Sequence, residues 1–194
     1  PPRSTLFPYT TLFRSNRYGS VTVPELTERT PYAVVTNFVP SLSRSVTGPM
    51  TREEFSRAID AFVPSSNYMY ALRVTGRFAW ASARTVTKQD RPYRPMIEAT
   101  DGEEIARHED FNGTIAGFRT PLYESGISVA GCHAHIIDDD RTWGGHLVDF
   151  VLEEGEAELC LGTDFRMRLP LTEEFRTADL SEDKTEEIRR VEHH

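Results

Sequence analysis

Apolar residues along this chain alternate with polar ones far more often than they recur at helical spacing, so the pattern predicts short strands with few helices. Ala33-Val34-Val35-Thr36-Asn37-Phe38-Val39 reads as a strand between Pro31 and Pro40, and Ser41 to Gly48 as a loop. One helix is clear. Thr51 and Glu54 form a capping box, and Phe55, Ala58, Ile59 and Phe62 fall at i, i+3, i+4 and i+7, ahead of a stop at Pro64-Ser65-Ser66. Tyr68 to Val74 and Arg77 to Val86 alternate as two strands joined near Gly76, after which Pro92, Pro95 and Asp101-Gly102 mark the crossing into a second half.

In that second half Glu103 to His108 suggests a short helix, with His108 solvated among charges. Thr114 to Phe118 and Ile127 to Ile137 are strands around a Pro-Leu-Tyr turn, and His146 to Leu152 is the return strand. Glu156 to Leu161 and Phe165 to Leu169 suggest a hairpin about Gly162. The tail from Ser181 reads as a helix, with Glu186 and Arg190 spaced i, i+4 and Ile188 and Val191 facing inward. The class is α+β, with mostly antiparallel sheets. Residues 1–15 do not share this grammar: Thr-Leu-Phe occurs twice without either periodicity, as in translated adapter DNA. They are expected to be a non-native leader outside the fold, with the true start missing.

Composition narrows the function. The chain has 194 residues, 38% hydrophobic and 27% charged, with a net charge of -8. This balance, without a basic cluster, argues against a nucleic-acid partner. No apolar run approaches the roughly 20 residues of a membrane span, and the expected location is the cytoplasm. Two cysteines, Cys132 and Cys160, are too few for a disulfide framework and are expected as buried free thiols.

The chemistry concentrates in Gly131-Cys132-His133-Ala134-His135-Ile136-Ile137-Asp138-Asp139-Asp140-Arg141-Thr142-Trp143-Gly144-Gly145-His146. Strand side chains alternate, so His133 and His135 share a face, and a return strand after the Asp/Gly turn brings His146 beside them. Three imidazoles make a metal shell with positions left open, as a catalytic site requires. Cys132 points to the other face and is a poor fourth ligand. Arg141 is expected to pair with one of the aspartates, one of which is also placed to orient a histidine's second nitrogen. Arg119 is expected in a salt bridge at the Pro121 turn rather than on an anion.

Taken together, the segments TPYAVVTNF (30–38), YALRVTGRFAWASARTVTKQDRPYRPM (70–96), FNGTIAGFRTPLYESGISVAGCHAHIIDDDRTWGGHLVDFVLEEGEAEL (111–159) and the tail from 178 to 192 resemble the alpha-acetolactate decarboxylase family. GFRxPxY followed by GxHxH and DRxxGGH carries the likeness. It implies two sheet-bearing lobes, roughly 16–98 and 99–194, with mixed and antiparallel sheets, few helices and a metal site between them. It further implies zinc on His133, His135 and His146, an active-site arginine at Arg84, a C-terminal glutamate at Glu192, and a homodimer. The implied reaction is thiamine-independent decarboxylation of a small molecule, 2-acetolactate, to acetoin and CO2. The family also carries a glutamate in an N-terminal LDGE-type segment that this sequence does not contain.

The chemistry fits the residues. Loss of CO2 leaves an electron pair to be delocalised onto a ketone oxygen, and a divalent cation there stabilises the developing charge. Arg84 suits the substrate carboxylate, which a guanidinium binds in a bidentate manner. Glu192 suits proton transfer. Two other readings compete. A cupin-like metal oxygenase or isomerase needs Asp139 or Asp140 in place of a glutamate and a later third histidine. A metal- or ligand-binding remnant without turnover needs only the histidines.

Overall fold

The computed structural model describes residues 14–16, 18–25, 33–85 and 104–181. Two very short strands, β1 (Arg14–Ser15) and β2 (Val21–Thr22), pair with each other. The main sheet comprises β3 (Leu42–Thr51), β4 (Met69–Arg84), β5 (Ile105–Thr120), β6 (Gly131–Asp138) and β7 (Gly144–Gly162). Its order is β3-β7-β4-β5-β6, with every ladder antiparallel, and β6 also pairs back onto β7. Four strands therefore close into a ring, and β3 lies outside it along β7. Helix α1 (Arg52–Phe62) follows β3 directly, and a one-turn helix α2 (Glu173–Thr177) lies beyond the sheet.

The ring is filled by alternate side chains from each strand. Tyr70, Phe78, Ile115, Ile136, Leu152, Leu159 and Val74 are the largest of those fully buried. α1 begins where its sequence demands: the Thr51 hydroxyl accepts from the Glu54 N–H while Glu54 accepts from the Thr51 N–H. Its Phe55 and Ile59 face packs inward, with the Phe55 ring 5.7 Å edge-on from Phe150. Arg44 on β3 ties down the helix by donating to the Ala58 carbonyl at 3.1 Å.

Several strands are longer than their patterns predict, for one physical reason. On β4 the inward residues run Tyr70, Leu72, Val74 and Phe78, then Ala81 and Ala83, so the phase flips after Phe78. On β7 they run Leu147, then Phe150 and Leu152, then Ala157 and Leu159, two flips in one strand. Register shifts between β4 and β7 fall at these places, and on β5 Asp110 takes a left-handed φ of 48° where its phase changes. Each bulge moves the apolar set to the other parity without ending the strand.

The predicted pair joined at Gly76 is thus one strand, and Gly76 lies across from Gly155 inside the β4–β7 ladder. The helix predicted over Glu103 to His108 is corrected: Ile105 to His108 begin β5, and Glu103 lies outside the described residues. There His108 stacks on Trp143 and Phe111 (centroids 5.2 and 4.6 Å) and is not simply solvated. The hairpin predicted about Gly162 is also corrected: Glu156 to Leu161 continues β7, and Phe165 to Leu169 makes no strand. Ser41 to Gly48, predicted as a loop, is mostly β3, paired with β7 from Leu42↔Leu159. Ala33 to Val39 has one bridge residue, Thr36, and no regular strand, although Phe38 is buried beneath the Arg73 guanidinium. The predicted tail helix from Ser181 lies almost wholly outside the described residues.

Arg14 and Ser15, set aside with the leader on sequence grounds, take part in β1, and the Thr85 hydroxyl donates to the Ser15 hydroxyl at 2.7 Å. The segment that follows clamps the β6–β7 turn. The Gly144 N–H donates to the Gly19 carbonyl at 2.8 Å and the Val21 N–H to the Thr142 carbonyl at 2.9 Å. Gly19 has φ +78° and lies so close over Trp143 that a Cβ there would stand 2.3 Å from the indole nitrogen.

Candidate metal centre

Everything at the site follows from how β6 turns into β7. Asp138 is buried, and its carboxylate is used entirely in that turn. One oxygen accepts from the Thr142 and Trp143 N–H groups at 2.8 and 2.9 Å, the other from the Thr142 hydroxyl at 2.8 Å. Arg141 takes a left-handed φ of 58° to close the loop. This aspartate therefore orients the turn rather than a histidine. The turn fixes a register in which His135 faces His146, Ile136 faces Gly145 and Ile137 faces Gly144. Close approach at the turn requires glycine, since a Cβ on Gly144 would lie 2.4 Å from the Ile136 carbonyl oxygen.

Ile136 and Ala134 belong to the ring's interior, so His133 and His135 project from its outer surface. Cross-strand pairing adds His146 beside His135, and Phe118 and Ala116 opposite His133 and His135. The three rings lie 4.8 to 5.3 Å apart by centroid. The Nε2 atoms of His133 and His135 are 3.2 Å apart, and one nitrogen from each of the three rings lies within 4.8 Å of the others. Two nitrogens bound to one tetrahedral ion at about 2.05 Å stand about 3.3 Å apart. The His133–His135 pair already has the spacing of two ligands on one ion, and His146 stands near enough to complete a three-nitrogen set that leaves coordination positions open.

Electrostatics agree. Burial pushes His135 down to about 3, assisted by the charges of His133 and Arg84. Burial likewise pushes His146 down to about 2, assisted by His135, His133, Arg84 and Arg52. Both rings are consequently neutral at physiological pH, the form in which imidazole binds a metal.

Arg84, at the end of β4, faces His146 directly across the ladder. Cys132 stands on the other face of β6, opposite Arg119, and does not join the cluster. The expectation of buried thiols is corrected: both cysteines are free, Cys132 exposed and Cys160 half-buried. Asp139 and Asp140, which a cupin-like site would need, are exposed in the turn and do not join the cluster. Arg119 makes a structural ion pair as expected, but with Asp60 of α1 at 2.6 Å. Glu192 lies outside the described residues. Sequence reasoning missed Asp60 and Arg52. The capping box located the start of α1, but no local signal shows what its first residue touches.

Fold and site together define a mostly antiparallel β protein whose strand ring carries, on its outer surface, a three-histidine cluster able to hold a metal ion. The family model for alpha-acetolactate decarboxylase matches residues 9–182. The alpha-acetolactate decarboxylase of Bacillus subtilis is 38% identical over 168 residues, covering 87% of this chain and 66% of that protein. That of Klebsiella aerogenes is 42% identical over 137 residues, covering 71% and 53%. A crystal structure of the Bacillus subtilis protein superposes with a TM-score of 0.89 at 36% identity, covering 93% of this chain and 77% of that one. The chain belongs to the alpha-acetolactate decarboxylase family. It spans about half to two thirds of the length of the curated relatives it matches.

Proposed function

We propose that this protein is a zinc-dependent carboxy-lyase that converts 2-acetolactate to acetoin and CO2. The observation that supports this most directly is the convergence of three imidazoles, two of them held neutral, beside an arginine on the same sheet face. In the reaction the bond to the carboxylate carbon breaks, its electron pair stays with the substrate, and one proton is taken up to give acetoin. His133, His135 and His146 would hold the ion, which supplies Lewis-acid stabilisation of charge at the ketone oxygen.

Arg84 binds and orients the carboxylate that departs. A guanidinium presents two parallel donors to such a group, and its permanent charge is suited to holding an anion rather than to giving up a proton. Glu192 carries the proton, as a carboxylate able to accept and return one. Neutral imidazoles leave the full charge of the ion available, whereas carboxylate ligands would diminish it. The same reading takes the protein to be a cytoplasmic homodimer with a small-molecule substrate and neither nucleic-acid nor membrane partners. Among the described residues, no helix is long and apolar enough to cross a membrane.

The test is metal analysis combined with a colorimetric acetoin assay on racemic 2-acetolactate. Stoichiometric zinc together with acetoin release supports the proposal. Bound zinc with no acetoin above the uncatalysed background refutes the catalytic part and leaves a metal-holding protein. Oxygen consumption with bound iron or manganese points to the cupin-like chemistry instead.

A further inference from the structure

The ring of strands is not sealed along its whole length. β7 pairs with β6 from Gly144 to His146 and with β3 from Val151 onward. Between these ladders, residues 147–150 of β7 have neither neighbour on that edge. Continued in the same register, Ala134 would face Leu147 and His133 would face Val148, but the ladder stops at His146. The β4–β7 register shifts at the same place, between Ser82 opposite Asp149 and Ala83 opposite Leu147, which leaves Val148 as the extra residue of a bulge. His133 and His146 border this gap.

A side chain from outside the two strands reaches the gap. Arg52, the first residue of α1, donates from Nη1 to the Val148 carbonyl. Its placement is not accidental, because Thr51 pairs with Val151 at the end of the β3–β7 ladder and also caps α1. The helix therefore starts where β7 exchanges β6 for β3. The guanidinium is half-buried there. A part-buried carbonyl left without a partner is costly, and a bulge can relieve that cost by shifting.

We propose that Arg52 is a positioning residue for the metal centre: by holding the Val148 carbonyl in the gap between β6 and β7, it fixes where His146 stands relative to His133 and His135. This rests on the reading of the three histidines as a metal site. It assigns to the first turn of a helix a task usually performed by a group hydrogen-bonded to the ligand itself.

The test is titration of the metal-free full chain with Co2+, whose visible spectrum reports coordination geometry. Arg52→Met is expected to bind Co2+ at least about tenfold more weakly than wild type, with shifted visible bands. Arg52→Lys, which keeps a charged donor, should recover part of both. Arg44→Met removes a comparable link, from β3 to the Ala58 carbonyl, and should lower the melting temperature while leaving the Co2+ spectrum unchanged. If Arg52→Met does not fold, Arg52→Gln takes its place, being too short to reach Val148. Wild-type affinity and spectrum in Arg52→Met or Arg52→Gln would overturn the assignment. Failure of the wild-type chain to bind Co2+ at all would instead overturn the metal reading on which it stands.

Discussion

Arg84 and His146 face each other across the β4–β7 ladder, and His146 in turn faces His135 across β6–β7. A cation is thereby placed in register with a cluster able to hold a metal ion by backbone pairing alone. Side chains directly opposite in an antiparallel pair stand about 4.5–5.5 Å apart at Cβ. The arginine is accordingly near enough to touch a molecule held at the cluster.

Replacing Arg84 by lysine should separate binding of the ion from turnover. Lysine keeps the charge but loses the planar pair of donors. Arg84→Lys is expected to retain wild-type zinc content while acetoin release falls by about a hundredfold. Unaltered turnover in that variant removes Arg84 from the proposed chemistry.

Each histidine should be needed for the ion. His133→Ala leaves two nitrogen ligands and is expected to abolish zinc retention through gel filtration, measured as metal per chain. The fold should persist, because His133 projects from the outer surface of the ring and does not fill its core. Full zinc content in His133→Ala would exclude it from the site.

The metal-free chain should lose stability in mild acid. Burial holds His135 at about 3 and His146 at about 2, whereas in the unfolded chain both titrate near 6.5. Below pH 6.5 the unfolded state binds protons that the folded state refuses, so stability is greatest above 6.5 and falls as the pH drops toward 3. The slope is at most about 1.4 kcal/mol per pH unit for each ring. Urea midpoints at pH 7 and pH 5 should show this fall. His135→Asn should remove about half of it, leaving the share of His146, and an equal slope in that variant would mean that His135 is not a source.

Gly117 on β5 faces Ala134, between His133 and His135 of β6. A Cβ there would lie 2.3 Å from the His133 carbonyl oxygen and 2.6 Å from the Ala134 Cα, both backbone atoms that cannot yield without moving the strand. Gly117→Ala is expected to cost about 2 kcal/mol or more by denaturant unfolding and to weaken zinc binding by displacing His133 and His135 together. Wild-type stability in this variant would show that β5 and β6 have room to separate.

The local signals of the candidate site were legible in the sequence alone. The alternation of His133 and His135, a turn short enough to return His146, and the capping box at Thr51 are all local, and all three appear in the structure. Arg84 was legible only through resemblance to a family, because an arginine at a strand end has no local signature of function. Tertiary structure decided where the strands end. Bulges near Ala79 and at Val148 flip the apolar phase while hydrogen bonding continues, so a period-two pattern breaks where β4 and β7 do not. It also decided which distant groups meet: Arg119 with Asp60, and Arg52 with the Val148 carbonyl. These contacts join residues far apart in the chain, and no periodicity within either segment encodes them.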